Sequence, residues 1–333
     1  MTRRSVFALG ALIASGCSSA PPPVTESPHP SLAASAESTA LSTPTGEIQG
    51  TIQLPAATPP VPVVLIISGS GPTDRNGNSP AIPGSNNSLK LLAEGLAEHG
   101  IASVRYDKRG IAASRPAALN EADLRFTNYI DDAAEWIKKL RGDEHFSTIT
   151  VIGHSEGSLI GMVAAKNAGA DAFISLEGAG RKAADILIDQ LNGQLPPEMM
   201  TRVTHVLSDL SQGKTPDSVP RELYALFRPS VQPYMISWFQ YDPAVEIGKL
   251  TVPVLIVQGS TDIQTSMKDA NALLAGDSAA VLLVVEGMNH ILKEASGGRT
   301  EQIKVYSDPS LPVVPRLIEE IATFIKNVKR TSG

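Results

Sequence analysis

From Glu47 onward, short and nearly continuous apolar runs alternate with longer stretches in which apolar residues recur every three to four positions. The short runs at Val61–Ser68, Ile101–Tyr106, Ile149–Gly153, Ala172–Leu176, Val252–Gly259 and Val281–Glu286 have little polar alternation. A strand covered on both faces looks like this, so they predict buried parallel strands. Gly46–Leu54 predicts an additional antiparallel edge strand. Helical spacing in Leu89–His99, Tyr129–Arg141, Leu159–Lys166 and Val314–Lys329 supplies the crossovers between strands. The alternation predicts an α/β domain, a mostly parallel central sheet with helices on both faces.

Between about residues 181 and 245 this rhythm breaks. Pro196 and Pro197, several apolar helical turns, and then Tyr224, Phe227, Tyr234, Trp238, Phe239 and Tyr241 stand between one strand and the next. An insertion there predicts a helical cap over the sheet, placed before the strand Val252–Gly259. Its aromatic residues are expected first of all to pack with one another.

The first 45 residues follow neither pattern. Arg3 and Arg4 precede a short apolar run, Val6–Ala14, that ends at Gly16 and Cys17. The run is far shorter than the ~20 residues a membrane-spanning helix needs, so residues 1–16 are expected to be a secretory signal. Ala14-Ser15-Gly16-Cys17 resembles a bacterial lipobox, with Ala14 where leucine is typical, which implies lipidation of Cys17. Thr2-Arg3-Arg4-Ser5-Val6-Phe7 resembles a twin-arginine export motif, while the same two arginines also suit an ordinary positive leader. Residues 17–45 are rich in Pro, Ser and Ala and are expected to be a flexible tether, leaving residues 46–333 as the folded domain. The expected location is the cell envelope, on the periplasmic side of the outer membrane if the host is Gram-negative.

Composition narrows the chemistry. Cys17 is the single cysteine, so the chain can form neither an intrachain disulfide nor a thiolate metal cluster. The formal net charge is −6, and removal of Arg3 and Arg4 with the leader makes it two units more negative, which argues against nucleic acid as a partner.

Gly153-His154-Ser155-Glu156-Gly157 fits G-x-S-x-G, directly after a predicted strand and directly before a predicted helix. In that position the motif predicts a tight turn that lifts the Ser155 hydroxyl above the sheet as a nucleophile. Serine is a poor nucleophile at neutral pH and needs a histidine base held in the right tautomer by a carboxylate. Of six histidines, His290 lies on a loop after the last strong strand, where a base belongs. Asp262, in Gly259-Ser260-Thr261-Asp262, follows the preceding strand and is the expected acid, with Asp269 and Asp277 read as helix and turn residues. The tetrahedral oxyanion requires two N–H donors. Glu156 offers one as the residue after the nucleophile, and Ser70, in the loop Ser68-Gly69-Ser70-Gly71-Pro72, is the candidate for the other. Asp74, Arg75, Asp107 and Arg109 are charged loop residues expected to pair and fix loop shape.

These segments, together with Thr73-Asp74-Arg75 and Arg105-Tyr106-Asp107-Lys108-Arg109-Gly110, resemble the α/β-hydrolase superfamily, specifically its serine aminopeptidase-like and bacterial esterase members. The resemblance spans residues 47 to 328. It implies the α/β-hydrolase fold and a Ser155, Asp262, His290 triad with no metal or organic cofactor. Many such proteins carry histidine at the position of Ser68, and Gly-x-Gly-x-Ser where this chain has Gly110-Ile111-Ala112-Ala113-Ser114.

The expected activity is hydrolysis of a small-molecule carboxylic ester of short to medium acyl chain, through an acyl-enzyme on Ser155. Two readings stand beside it. The same triad could serve a peptidase, amidase or thioesterase, with Glu198, Asp209, Asp217 and Glu222 as cap carboxylates for a substrate ammonium. Alternatively the chain could be a non-catalytic envelope-binding lipoprotein.

Overall fold

The computed structural model describes residues 34–330 apart from positions 83 and 297. The expected leader, Cys17 and the tether up to residue 33 lie outside the described residues.

One eight-stranded sheet runs through the domain. Its strands are β1 (Ser35–Thr43), β2 (Gly46–Leu54), β3 (Val61–Ile67), β4 (Ala102–Tyr106), β5 (Phe146–His154), β6 (Ala172–Leu176), β7 (Val254–Gly259) and β8 (Val281–Val285). They lie in the order β1-β2-β4-β3-β5-β6-β7-β8. β1 and β2 form an antiparallel hairpin and β2 runs antiparallel to β4, whereas every pair from β4 to β8 is parallel.

The helices are α1 (Ser88–Glu98), α2 (Phe126–Arg141), α3 (Glu156–Ala168), α4 (Ala183–Leu191), α5 (Pro197–Ser211), α6 (Tyr224–Phe227), α7 (Gln232–Trp238), α8 (Pro243–Ile247), α9 (Met267–Gly276), α10 (Arg299–Val305) and α11 (Pro315–Lys326). Side chains of β3 alternate between two cores, as a strand's two-residue period requires. Val63, Leu65 and Ile67 join α2 and α3 on one face, while Val64 and Ile66 join α1 and α11 on the other. The expected two-faced α/β-hydrolase sheet is therefore present, and α4 to α8 fill the interval between β6 and β7 where the cap was expected.

Three expectations need correction. The tether expected to reach residue 45 stops short of it, because Ser35–Thr43 is a strand paired along its whole length with β2. β2 consequently lies inside the sheet instead of at its edge. The segment SAESTALST buries only the Leu41 side chain, so its order comes from backbone hydrogen bonds to β2. A reading that weighs apolar content misses such a strand. The run at 281 was read as a buried strand, whereas β8 is the other sheet edge and leaves Val281 and Val284 exposed.

Candidate active site

Ser155 sits between β5 and α3 with φ 56° and ψ −123°, a left-handed backbone that a non-glycine residue adopts only when its surroundings enforce it. The enforcement is steric. A Cβ at Gly153 would lie 2.2 Å from the Gly157 carbonyl oxygen, and one at Gly157 would lie 2.4 Å from that of Ile67. Neither position admits a side chain, and the turn is fixed at the carboxyl end of the sheet by Ser155 N–H donating to the Leu176 carbonyl at 3.0 Å.

Asp262 and His290, from the loops after β7 and β8, meet with Nδ1 to Oδ2 at 2.7 Å. The Asp262 carboxylate also accepts hydrogen bonds from Gln264 N–H at 2.6 Å, Thr265 N–H at 3.2 Å and the Thr265 hydroxyl at 2.8 Å. Burial alone would raise its pKa, but the neighbouring His290 and these donors outweigh it and hold the carboxyl below its ordinary value. An ionised Asp262 takes the Nδ1–H of His290 and leaves Nε2 with its lone pair. Asp269 plays no part in this cluster. It caps α9 through Ser266 and is paired with Arg181 at 3.1 Å.

The candidate oxyanion donors border one space. Ser70 and Glu156 both line a cavity of about 640 Å³ beneath the cap. Among the described residues the Ser70 N–H makes no hydrogen bond, so it is open to a ligand. Phe227, Tyr234, Met235 and Trp238 from the cap and Tyr129 from α2 give the cavity a largely apolar wall. The cap aromatics therefore do more than pack among themselves: Trp238 stacks on Phe126 of α2, and Tyr234 packs edge-on to Phe126 and Tyr129.

Three cations line the cavity, and each is held by a carboxylate. Lys108 pairs with Glu156 at 3.0 Å, Arg109 with Asp132 at 2.5 Å, and Arg228 with Glu121. Arg75 pairs with Asp107 at 2.8 Å, while Asp74 accepts the N–H groups of Asn76 and Asn78, so the charged loop residues do fix loop shape.

Four contributors escape the sequence. The buried Lys108 ammonium donates to the Gly69 carbonyl at 2.5 Å as well as to Glu156, joining the oxyanion loop to the elbow. Tyr234 donates its hydroxyl to the other oxygen of Glu156 at 2.7 Å and so joins the cap to the same point. His154 lies beneath His290, with Nε2 donating to the His290 carbonyl at 2.8 Å. Glu177, directly after β6, lies beside Asp262. Only Glu177 had a legible signal, a charged residue immediately after an apolar strand run, the same placement that singles out Asp262.

Glu177, Asp262 and His290 are also the one group among the described residues with metal-ligand chemistry, their donor atoms lying within 4.8 Å of one another. The oxygens of both carboxylates already accept N–H or O–H donors, an arrangement suited to holding a proton on an imidazole.

Residues 85–294 match the family model described as serine aminopeptidase, S33. The chain is 28% identical over 285 residues to esterase EstD of Thermotoga maritima, covering 84% of this chain and 65% of that protein. The match thus spans just under two thirds of that relative's length. Among solved structures, Est1E from Butyrivibrio proteoclasticus aligns with a TM-score of 0.58 at 18% identity, over 87% of this chain and 98% of that one. The α/β hydrolase GrgF from Penicillium sp. sh18 aligns with a TM-score of 0.56 at 17% identity, over 89% and 100%. At such identities the solved structures speak for the fold alone. With the family model matching well over half of its length, the chain belongs to the serine aminopeptidase, S33 family and has the α/β-hydrolase fold.

Proposed function

We propose that this protein is a serine carboxylesterase that cleaves uncharged esters of short to medium acyl chain. Ser155 Oγ attacks the ester carbonyl and His290 Nε2 takes its proton. Asp262 orients His290 and stabilises the imidazolium, and the N–H groups of Ser70 and Glu156 receive the oxyanion. His290 then returns the proton to the leaving alcohol, and water, activated by the same base, releases the acyl group from Ser155.

The observation that carries the substrate class is the charge balance of the cavity. Its walls are largely apolar, and Lys108, Arg109 and Arg228 are each neutralised by a carboxylate, so among the described residues it offers an anionic substrate no free cation. An aminopeptidase would need a free carboxylate for the substrate's ammonium. Glu198, Asp217 and Glu222 are exposed, and neither they nor Asp209 lines the cavity, while Glu121 and Glu156 are already bonded to cations. The esterase naming of the Thermotoga relative supports the ester over the amide reading.

Nitrophenyl esters from acetate to palmitate, offered to the full chain and to its Ser155→Ala variant, test this. The expected result is turnover with an optimum at short or medium chains in the wild type, and a loss of at least about 10³-fold in the variant. Equal turnover by both would remove Ser155 from the reaction. Absence of turnover in a folded wild type would return amides, thioesters or a binding role to consideration.

The same reading extends to the cell envelope: residues 1–16 direct export and Cys17 carries a lipid that tethers the domain to a membrane.

A further inference from the structure

Glu177 has no place in a three-residue mechanism, yet it is fully buried at the carboxyl end of β6, and its backbone has φ 49°. A non-glycine residue with that backbone needs a reason. Its carboxyl reaches across to the end of β7. Oε1 accepts the Gly259 N–H at 2.7 Å and Oε2 accepts from Gln258 Nε2 at 2.8 Å, which fixes the side chain beside Asp262. Oxygens of the two carboxyls and a ring nitrogen of His290 lie within 4.8 Å of one another.

Two carboxylates this close in a buried site repel one another; among the described residues no lysine or arginine bonds to either, and the neighbouring group able to become a cation is His290. The titratable groups around Glu177 are Asp262 after β7, His290 after β8 and, further out, Tyr306 after α10. Arg181, four residues on, is committed to Asp269 and Asp189. Burial first, and then the Asp262 charge, push the Glu177 carboxyl well above its ordinary value, while Asp262 is held low. The two shifts run in opposite directions and favour the proton on the Glu177 side of the pair.

We propose that Glu177 is a positioning residue of this active site, a neutral carboxylic acid whose O–H donates a hydrogen bond to Asp262 and holds that carboxylate behind His290. The inference rests on the reading of Ser155, Asp262 and His290 as the catalytic set. His290 then faces a single negative charge, fixed in direction by donors on several sides. Asp262 receives backbone and hydroxyl donors from its own loop and the Glu177 proton from β6, so three neighbouring strand ends set one geometry.

The test compares Glu177→Gln and Glu177→Leu in the full chain. A glutamine amide can accept the Gly259 N–H through its oxygen and donate to Asp262 through its nitrogen, with the Gln258 amide turned to offer that nitrogen its oxygen, so it supplies a neutral donor in place of the acid. Glu177→Gln is expected to keep kcat within about threefold of wild type, with the acid limb of kcat/KM at an unchanged pH. Glu177→Leu is expected to lower kcat by about 10- to 100-fold with little change in KM. An ionised Glu177 would instead put a second negative charge behind His290 and favour its imidazolium. Its removal in Glu177→Gln would then move the acid limb down by a pH unit or so, and that outcome would overturn the proposal, as would full activity in Glu177→Leu.

Should Glu177→Leu fail to fold, carboxyl-¹³C glutamate labelling decides. One glutamate carboxyl still protonated at pH 7 in wild type and missing in Glu177→Gln supports the proposal; no protonated glutamate in wild type overturns it. That signal does not depend on turnover. A wild type inert towards esters and fluorophosphonates would sink the esterase reading while leaving the Glu177 result to be judged on its own.

Discussion

The imidazole of His154 is buried under His290, its ring centre 4.9 Å from that of its neighbour, with Nε2 donating to the His290 carbonyl. Through that hydrogen bond this second residue of the G-x-S-x-G motif supports the loop that carries His290. Burial, followed by the adjacent His290, pushes its pKa down to about 3 from the ordinary 6.5. A histidine with a depressed folded pKa binds fewer protons in the folded state than in the unfolded one. The associated stability is present above pH ~6.5 and is lost as pH falls towards 3, by on the order of 2 to 4 kcal/mol at pH 4. Asp262, held below its ordinary value, acts only in the lower window beneath pH ~4. Glutamine at 154 keeps a donor near the Nε2 position but cannot titrate. Urea unfolding at pH 7.5, 5.5 and 4.5 should therefore show a shallower acid loss in His154→Gln than in wild type. Parallel losses would assign the acid sensitivity to other groups.

Elements place these side chains more than their own propensities do. Asp262, His290 and Glu177 all stand just beyond strand ends, and the parallel run β5-β6-β7-β8 sets those ends side by side with that of β5, after which Ser155 stands. At the opposite margin β1 shields β2, which would otherwise be an exposed edge presenting unpaired backbone groups. A chain shortened to begin at residue 46 lacks this cover, whereas one beginning at residue 34 retains it. The shorter chain is expected to melt about 5 °C or more below the longer one, equivalent to roughly 3 kcal/mol, and to aggregate more readily. Equal melting temperatures and equal solubility would show that β1 contributes nothing to the sheet's stability. The cap is joined to the body by groups that also shape the cavity: Tyr234 to Glu156, Ser237 to the Phe126 N–H, and Arg228 to Glu121.

At the scale of the whole molecule, an anchored esterase requires the N-terminal segment to be processed. Mass spectrometry of membrane-extracted protein is expected to show a chain starting at Cys17 with a diacylglycerol adduct, and a Cys17→Ala variant without it. An unmodified Met1 terminus on protein held inside the cell would refute export and anchoring together. The sequence by itself determined the two-faced parallel sheet and the cap's place between β6 and β7, and it singled out Ser155, Asp262 and His290 as the candidate set. Each of these follows from local regularities: strand runs, an elbow motif needing glycine at both ends, and polar residues immediately after strands. It misjudged β1, whose order comes from backbone pairing with β2, and β8, whose edge position depends on strand order. Lys108, Tyr234, His154 and Glu177 were decided only in three dimensions, because each acts through partners at least 39 residues away along the chain. Their local sequence carries the donor or acceptor, but the partner that gives it a role is brought within reach only by the packing of the sheet and its cap.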